Sequence, residues 1–516
     1  MAVVEKASAG GTKVPLADWV TLHPAALTAS AGGASGHREQ RGPRSDTLAQ
    51  VLASRNRNWG NPVDADLVLW CDGADAIVTG QQPGLLGGPL LTLVKACAVA
   101  AEVRRRRAAG RPAVGFLWLA TGDDDLQEMG WGRVAVGRDL LESSETEWQR
   151  GTMLAGAAPL GAACHTLIDR LGEQLVSENA RAALDHTARC YTAGALLGEA
   201  TARFLGPLLA GSGVVIVDAL EGEVGKAAGP VVGRILERLP EATAALEDGA
   251  RAFSQHGWPV PLRVAAQQLP IYRVRGAHRE RLAASQRACR PELLREHAAH
   301  PERFLPNVWL RPLVQDAALG TTVAVLGGAE FAYHRQAEEL WGIGGVIRPE
   351  WRLRPHVTVV TAAERRLIAQ LRLGPDDLLR AKMPARLLPG KGVRSALRRL
   401  NVSVEGSLAR LDFAVAEELP ALRGDLDSTR RRLASGVEWL ADRVEKGSTR
   451  VAEVELERWQ RLRAFLRPRG RSQERELSIL APLLRLGVGW PELLIQALDP
   501  GDPGMHLLFW REGGLW

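Results

Sequence analysis

Three aspartates in a row, Asp123, Asp124 and Asp125, close an apolar run in WLATGDDDLQEMGW at 118–131. Adjacent carboxylates repel one another, so such a cluster draws a cation: a metal ion, a ligand ammonium group or a nearby arginine. One of them can instead cap the helix that follows. A second group lies in AIVTGQQPGLLGGPLLTLVK at 76–95, where Gln81 and Gln82 occupy a glycine-rich loop between a strand-like run and a helix-like one. Gly80, Gly84, Gly87 and Gly88 would let backbone N–H groups approach a polar ligand at a helix N-terminus. The glutamine amides are costly to bury without polar partners, which favours a ligand bearing hydroxyls or carboxylates over a bare phosphate. The competing explanation is a tight turn punctuated by Pro83 and Pro89. Neither GxGxxG nor a P-loop is present, and Lys95 lies well inside the helix. The third group is PNVWLRPLVQDAALGTTVAVLGGAEFAYHRQ at 306–336. Arg311 can bind a carboxylate bidentately, Gln315 and Asp316 can orient it, and Gly327-Gly328 opens a further helix. Alternatively Arg311 pairs with a surface acid.

These groups need elements to position them. Short, nearly all-apolar runs at 75–80, 113–120, 213–218, 271–274 and 321–328 alternate with helical patterns, which predicts an α/β fold with a parallel sheet covered on both faces. The Gly-rich loop and the aspartates then fall at the carboxyl ends of strands, where open α/β sheets bind ligands. The sheet core is expected over 1–136 and 209–360. No strand is evident between 137 and 208, which is expected to be a helical insertion, and 223–300, with one strand, is expected to be a second insertion in the core. After about residue 360 the strands are expected to stop, leaving a helical, coiled-coil region over 361–516.

Within that region Leu422, Leu426, Leu433, Val437, Leu440, Val444, Val451 and Val454 are spaced by threes, fours and sevens between charged residues. This predicts an antiparallel or coiled-coil arm broken at Pro420 and at Gly447-Ser448 into two helices with a turn. The seam calls for a partner helix, from the same chain or from a second copy; of the two, a homodimer is preferred.

The 516 residues are 46% hydrophobic and 24% charged, as in globular proteins. With 65 Lys plus Arg against 59 Asp plus Glu, the net charge of +6 points only weakly to nucleic acid. Arg104–Arg107 and Arg430–Arg432 are basic runs on helical segments, where solvated faces are the plainer explanation. The beginning lacks an apolar signal region and no long apolar span follows, so a cytoplasmic protein is expected. Cys71, Cys97, Cys164, Cys190 and Cys289 include no CxxC pair, which argues against a zinc site or a disulfide framework. Cys164 and His165 diverge by about 100° on a helix and cannot pair directly as nucleophile and base.

Taken together, the three segments resemble the bacillithiol biosynthesis cysteine-adding enzymes, the BshC family. That family's VTGQQ-GL-TGPL-T--K segment is nearly reproduced at 78–95, a strand ending in W-(I/L)-A before E-D-H-D is similar to 118–125, and PNV-LRP--Q with GGP-E-AY is matched from Pro306 to Tyr333. Near the end, SQERELSILAPLLRLGVGW looks like the family's LQER and leucine-rich helix. The resemblance implies a Rossmann-like core with inserted segments and a C-terminal coiled coil that pairs subunits. It implies ligation of L-cysteine to the amino group of glucosaminyl malate through an amide bond, with ATP as a common means of activating the carboxyl group. It also implies Asp123, Asp124 and Asp125 as catalytic residues. The matched positions Thr79, Gly80, Gln81, Gln82, Gly84, Gly87, Gly88, Trp118, Arg311, Gln315, Gly327, Gly328, Glu330 and Tyr333 become substrate-binding, with the glutamines suited to sugar hydroxyls and Arg311 to a carboxylate. No metal is implied.

The chain departs from that pattern where acid–base chemistry is expected. Gly122 stands at the leading glutamate, Asp124 at the histidine, and Gly130-Trp131 at an Asn-His pair; the GGP-E segment is one residue shorter. His334 is a candidate replacement for the missing imidazole. A catalytically impaired paralogue that binds a polar acid or a partner without ligation is therefore the alternative.

Overall fold

The structure, a computed structural model, describes residues 3–5, 13–15, 44–145, 147–148, 153–263, 268–283, 290–374, 377, 391–511 and 514–515. Cys289 lies outside these residues. The chain forms two compact units, one of Met1–Ala135, Leu140–Thr361 and Arg471–Trp516, the other of Val136–Asp139 and Ala362–Gly470.

The first unit is built on a five-stranded sheet in which every neighbouring pair is parallel. Its strands are β1 (Asp75–Gln81), β2 (Ala113–Leu119), β3 (Val214–Asp218), β7 (Thr321–Leu326) and β8 (Glu350–Leu353). They lie in the order β8-β7-β1-β2-β3. The chain thus starts in the middle of the sheet, winds outward one way, then returns to wind the other, which is the Rossmann-like order. The runs are apolar because both faces are covered. Ala76, Val78, Val114, Phe116, Val215, Val217 and Ala324 belong to one core cluster, while α1 (Leu90–Ala108) packs on β1 and β2.

The strands expected at 75–80, 113–120, 213–218 and 321–328 are all in this sheet. The run at 271–274 instead lies in β4 (Gln268–Arg275), which pairs antiparallel with β5 (His278–Ala283) and β6 (Phe304–Pro306) in a separate three-stranded sheet. The 223–300 stretch therefore holds two strands rather than one. Likewise 137–208 is not wholly helical, because Asp139–Ser144 forms a hairpin with Trp131–Val136. Its sequence, DLLESS, is half-exposed and largely polar, so it lacks the apolar signal of a buried strand. Strands also continue beyond 360. β10 (Met505–Arg511) runs parallel to β9 (His356–Val360), a pairing between distant segments that no local pattern announces.

The second unit contains α4 (Lys391–Glu418) and α5 (Arg423–Leu466), joined by a short turn at Pro420–Leu422. The helices fold back on each other, with an Arg430 to Asp412 ion pair at 3.3 Å. Pro420 breaks the arm as expected, but Gly447-Ser448 does not: α5 runs unbroken for 44 residues. One interior glycine costs a helix about 1 kcal/mol, which the turns on either side absorb.

Candidate active site

The strand order reverses between β1 and β7, and at their carboxyl ends the first unit encloses a cavity of about 600 Å³. Gly80, Gln81, Gln82, Trp118, Asp123, Asp125, Arg311, Gly327, Glu330 and Tyr333 line it, bringing the three sequence segments to one place.

One group of lining residues is basic. Lys95, one helical turn and a half into α1, is buried and donates to Gly80 O at 2.8 Å, Gln81 Oε1 at 3.0 Å and Glu330 Oε2 at 2.6 Å. Glu330 also accepts the Gly327 N–H at 2.7 Å, which closes the N-terminus of α3 (Gly328–Gln336). Burial pushes the Glu330 carboxyl upward, but Lys95 and Arg311 outweigh it and hold the group below its ordinary range. Arg311, the first residue of α2 (Arg311–Leu319), donates to the Tyr333 hydroxyl. Burial raises that phenol to about 12, so it remains protonated. A Cβ on Gly80 would come within 3.1 Å of Arg311 Nη1, so glycine at the next-to-last position of β1 leaves room for the guanidinium. Arg354 completes the group. Its guanidinium is bound by Glu474, which also accepts the Val357 N–H at 3.1 Å.

The SQER segment thereby acquires a definite place. Gln473 accepts from the Val359 N–H at 2.7 Å and donates to Val359 O at 3.1 Å, imitating a neighbouring strand. The adjacent Arg475 lines the cavity.

The other group is acidic. Gln82 Nε2 donates to Asp123 Oδ2 at 2.7 Å and to Glu128 Oε2 at 3.4 Å. Asp123 Oδ1 accepts the Asp124 N–H at 2.8 Å. Asp124 itself is not among the lining residues; its carboxylate is bound by Arg279 of β5. The cation that the aspartates call for is thus an arginine of the protein. Asp125 stands at the N-cap of the helix Leu126–Met129, though its side chain makes no capping bond. Among the described residues no cluster of three or more His, Cys, Asp or Glu is arranged for a metal ion.

Several expectations are corrected. The loop glycines do not offer their amides to the cavity: Gly84 N–H goes to Thr201 Oγ1 at 3.2 Å and Gly87 N–H to Tyr191 OH at 2.7 Å. Gly87 has φ +86°, and a Cβ there would lie 2.4 Å from the Phe204 ring, so this loop is shaped by packing against the helix Leu197–Leu209. Gly88 and Gly328 are likewise outside the lining. Thr79 is buried between strands and donates to Val325 O at 2.8 Å. Gln315 is buried beside Gly80 and Arg311 without lining the cavity, and Asp316 accepts from the Trp341 indole at 2.9 Å on the core side. The glutamines find their polar partners within the protein, in Lys95, Asp123 and Glu128. His334 does not supply an imidazole, because its ring sits among Tyr333, Trp341 and Trp351, where burial lowers it to about 3 and keeps it neutral. Cys164 is buried, and burial pushes its thiol up to about 12. The Arg104–Arg107 run is no free basic face: the four pair with Glu492, Glu102, Asp75 and Asp66.

Lys95, Arg279, Arg354 and Arg475 were not singled out from the sequence. Lys95 and Arg475 carried a usable signal, Arg475 as the last residue of the SQER stretch. Lys95 follows the strand end within one βα unit, whereas Arg279 and Arg354 arrive from distant segments that no motif marked.

A Rossmann-like sheet with a charged switch-point cavity defines the class, and comparison with known proteins defines the family. Residues 30–354 match the description "Bacillithiol biosynthesis BshC, N-terminal Rossmann-like domain", and residues 410–510 match "Bacillithiol biosynthesis BshC, C-terminal coiled-coil domain". The chain belongs to the bacillithiol biosynthesis BshC family. It is 26% identical over 473 residues to "Putative cysteine ligase BshC" of Solibacter usitatus, covering 87% of each chain. It is 27% identical over 455 residues to the protein of that name from Symbiobacterium thermophilum, covering 82% of this chain and 81% of the relative. Among the described residues no helix is long and apolar enough to cross a membrane.

Proposed function

We propose that the cavity joins L-cysteine to the amine of glucosaminyl malate, forming an amide in bacillithiol biosynthesis. The observation that carries this is the pairing of a basic group (Lys95, Arg311, Arg354) with an acidic one (Asp123 and Glu128, joined by the Gln82 amide) in one cavity of ordinary ligand size. The basic group suits malate and cysteine carboxylates, and the acidic group suits an ammonium or sugar hydroxyls. Trp118 also lines the cavity, and its buried indole N–H has no hydrogen-bond partner among the described residues, which suits it to a ligand oxygen. A free carboxylate is a poor electrophile, so activation by a nucleoside triphosphate such as ATP belongs to this proposal. A biosynthetic role of this kind supports a cytoplasmic location, and the exposed seam of α5 supports assembly as a homodimer.

One observation favours a second reading, a binder without ligation: among the described residues no histidine lines the cavity, and Asp124 is engaged by Arg279. Mass spectrometry of purified protein with glucosaminyl malate, L-cysteine and ATP decides between them. The amide product, dependent on ATP, is the expected result. Calorimetric binding of glucosaminyl malate with no product would favour the binder, and neither binding nor product would point to a different substrate.

A further inference from the structure

Asp123 has both carboxylate oxygens engaged and lines the cavity beside Gln82, so its orientation is set by whatever holds the loop around it. The backbone of that loop is already tied down, since Ala155 N–H donates to Asp123 O at 2.8 Å and Gly156 N–H to Thr121 O at 2.9 Å. What remains is the orientation of the side chains. There a single residue from the inserted three-stranded sheet enters. Arg279 Nη1 donates to Gly122 O at 3.0 Å, while Nη2 binds Asp124 Oδ1 and reaches Asp123 Oδ1 at 3.4 Å. Its guanidinium is seated 4.3 Å from the centre of the Tyr272 ring on the neighbouring strand β4, and its side chain is 13% exposed.

We infer that Arg279 is a positioning residue: it clamps Gly122, Asp123 and Asp124 to the inserted sheet and so presents the Asp123 carboxylate to the cavity in one orientation. A lysine cannot reproduce this, because a guanidinium forms parallel directed bonds that one ammonium cannot. Asp124 acts on this inference as the anchor of the clamp. Replacing it with histidine removes the carboxylate that Arg279 holds. Replacing Gly122 adds a Cβ only 3.2 Å from Leu305 Cδ1, so that side chain must move. The three residues form one unit, and changing one alone disturbs the others.

The catalytic part of this inference rests on the proposed ligation, and the structural part does not, so the test has two arms on full-length protein. In the first, no substrate is present: hydrogen exchange of the Asp124 amide, held by Asp123, is compared in wild type, Arg279→Met and Arg279→Lys. The expected result is exchange faster by about tenfold or more in the Met variant, as for loss of one bond to a charged group, with partial recovery in the Lys variant and no change in β1 and β2. Unchanged exchange at Asp124, or equal loosening of β1 and β2, overturns the inference. In the second arm, kcat should fall on the order of 100-fold in Arg279→Met with a smaller change in KM, since misplacement of a positioned group has that effect. Arg279→Asp with Asp124→Arg should regain part of it. A kcat retained in Arg279→Met overturns the positioning role, whereas absence of product from wild type overturns the ligase reading and leaves the first arm to decide on Arg279.

Discussion

At the scale of single residues, His334 shows how far type and place can diverge. A histidine beside a motif tyrosine invites an acid–base role, yet this ring is enclosed by Trp341, Trp351 and Tyr333, and burial lowers it to about 3. Its contribution is to stability, and the sign follows from linkage. In the unfolded chain it takes up a proton below an ordinary pKa of about 6.5, while the folded protein does not, so the unfolded state gains relative stability as pH falls below that value. The loss grows from about pH 6.5 down toward the folded value near 3. His334→Leu should therefore flatten the dependence of Tm on pH between about 4 and 7, with little effect above that range. Equal slopes in variant and wild type would show that the ring is open to protons after all.

At the scale of elements, the C-terminal return segment matters more than its length suggests. Residues Gln473–Glu476 form a single helical turn, yet Gln473 pairs with both the N–H and the C=O of Val359, and Glu474 neutralises Arg354. Burial works to raise the Glu474 carboxyl, but Arg354 and His356 outweigh it and hold the group far below its ordinary range. Glu474→Gln leaves the Arg354 charge buried without its counter-ion, which should cost about 3–5 kcal/mol at neutral pH. The depressed carboxylate contributes fully above an ordinary pKa of about 4.3 and loses that contribution as pH falls through and below it. The gap between variant and wild type in denaturation should accordingly be constant from pH 6 to 8, roughly, and narrow below about pH 4. A gap that persists unchanged into acid would mean that the ion pair is not its source.

At the scale of the whole molecule, the arm presents surface that one chain leaves uncovered. Leu408 and Leu426 are buried, but on α5 Leu433 is 42% exposed, Leu440 40% and Trp439 63%, and on α4 Phe413 is 76% exposed. Leu433 and Leu440, seven residues apart on α5, suit a partner helix, and a second copy offers the same spacing. Light scattering at micromolar protein should report a dimer for the wild type. Leu433→Asp with Leu440→Asp should give a monomer with an unchanged first unit, since charges in a buried seam are expensive. A monomeric wild type would end the homodimer proposal.

The apolar runs of β1, β2, β3 and β7, the break at Pro420 and the three segments that meet at the cavity were legible in the sequence, because each is a local property: an all-apolar run, a missing N–H, a loop at a strand end. The short hairpin strand Asp139–Ser144 was not, since it is polar and half-exposed, and neither was β10, since its partner β9 lies far away in the sequence. The same division holds in the site. Gln82 and Asp123 announce themselves by place, but Lys95 meets Glu330 across 235 residues, Arg354 meets Glu474 across 120, and Arg279 meets Asp124 across 155. A charged residue reads alike in sequence whether it faces water or a buried counter-ion. Only the strand order, which places segments distant in sequence around one crevice, decides which charges are removed from water and paired there.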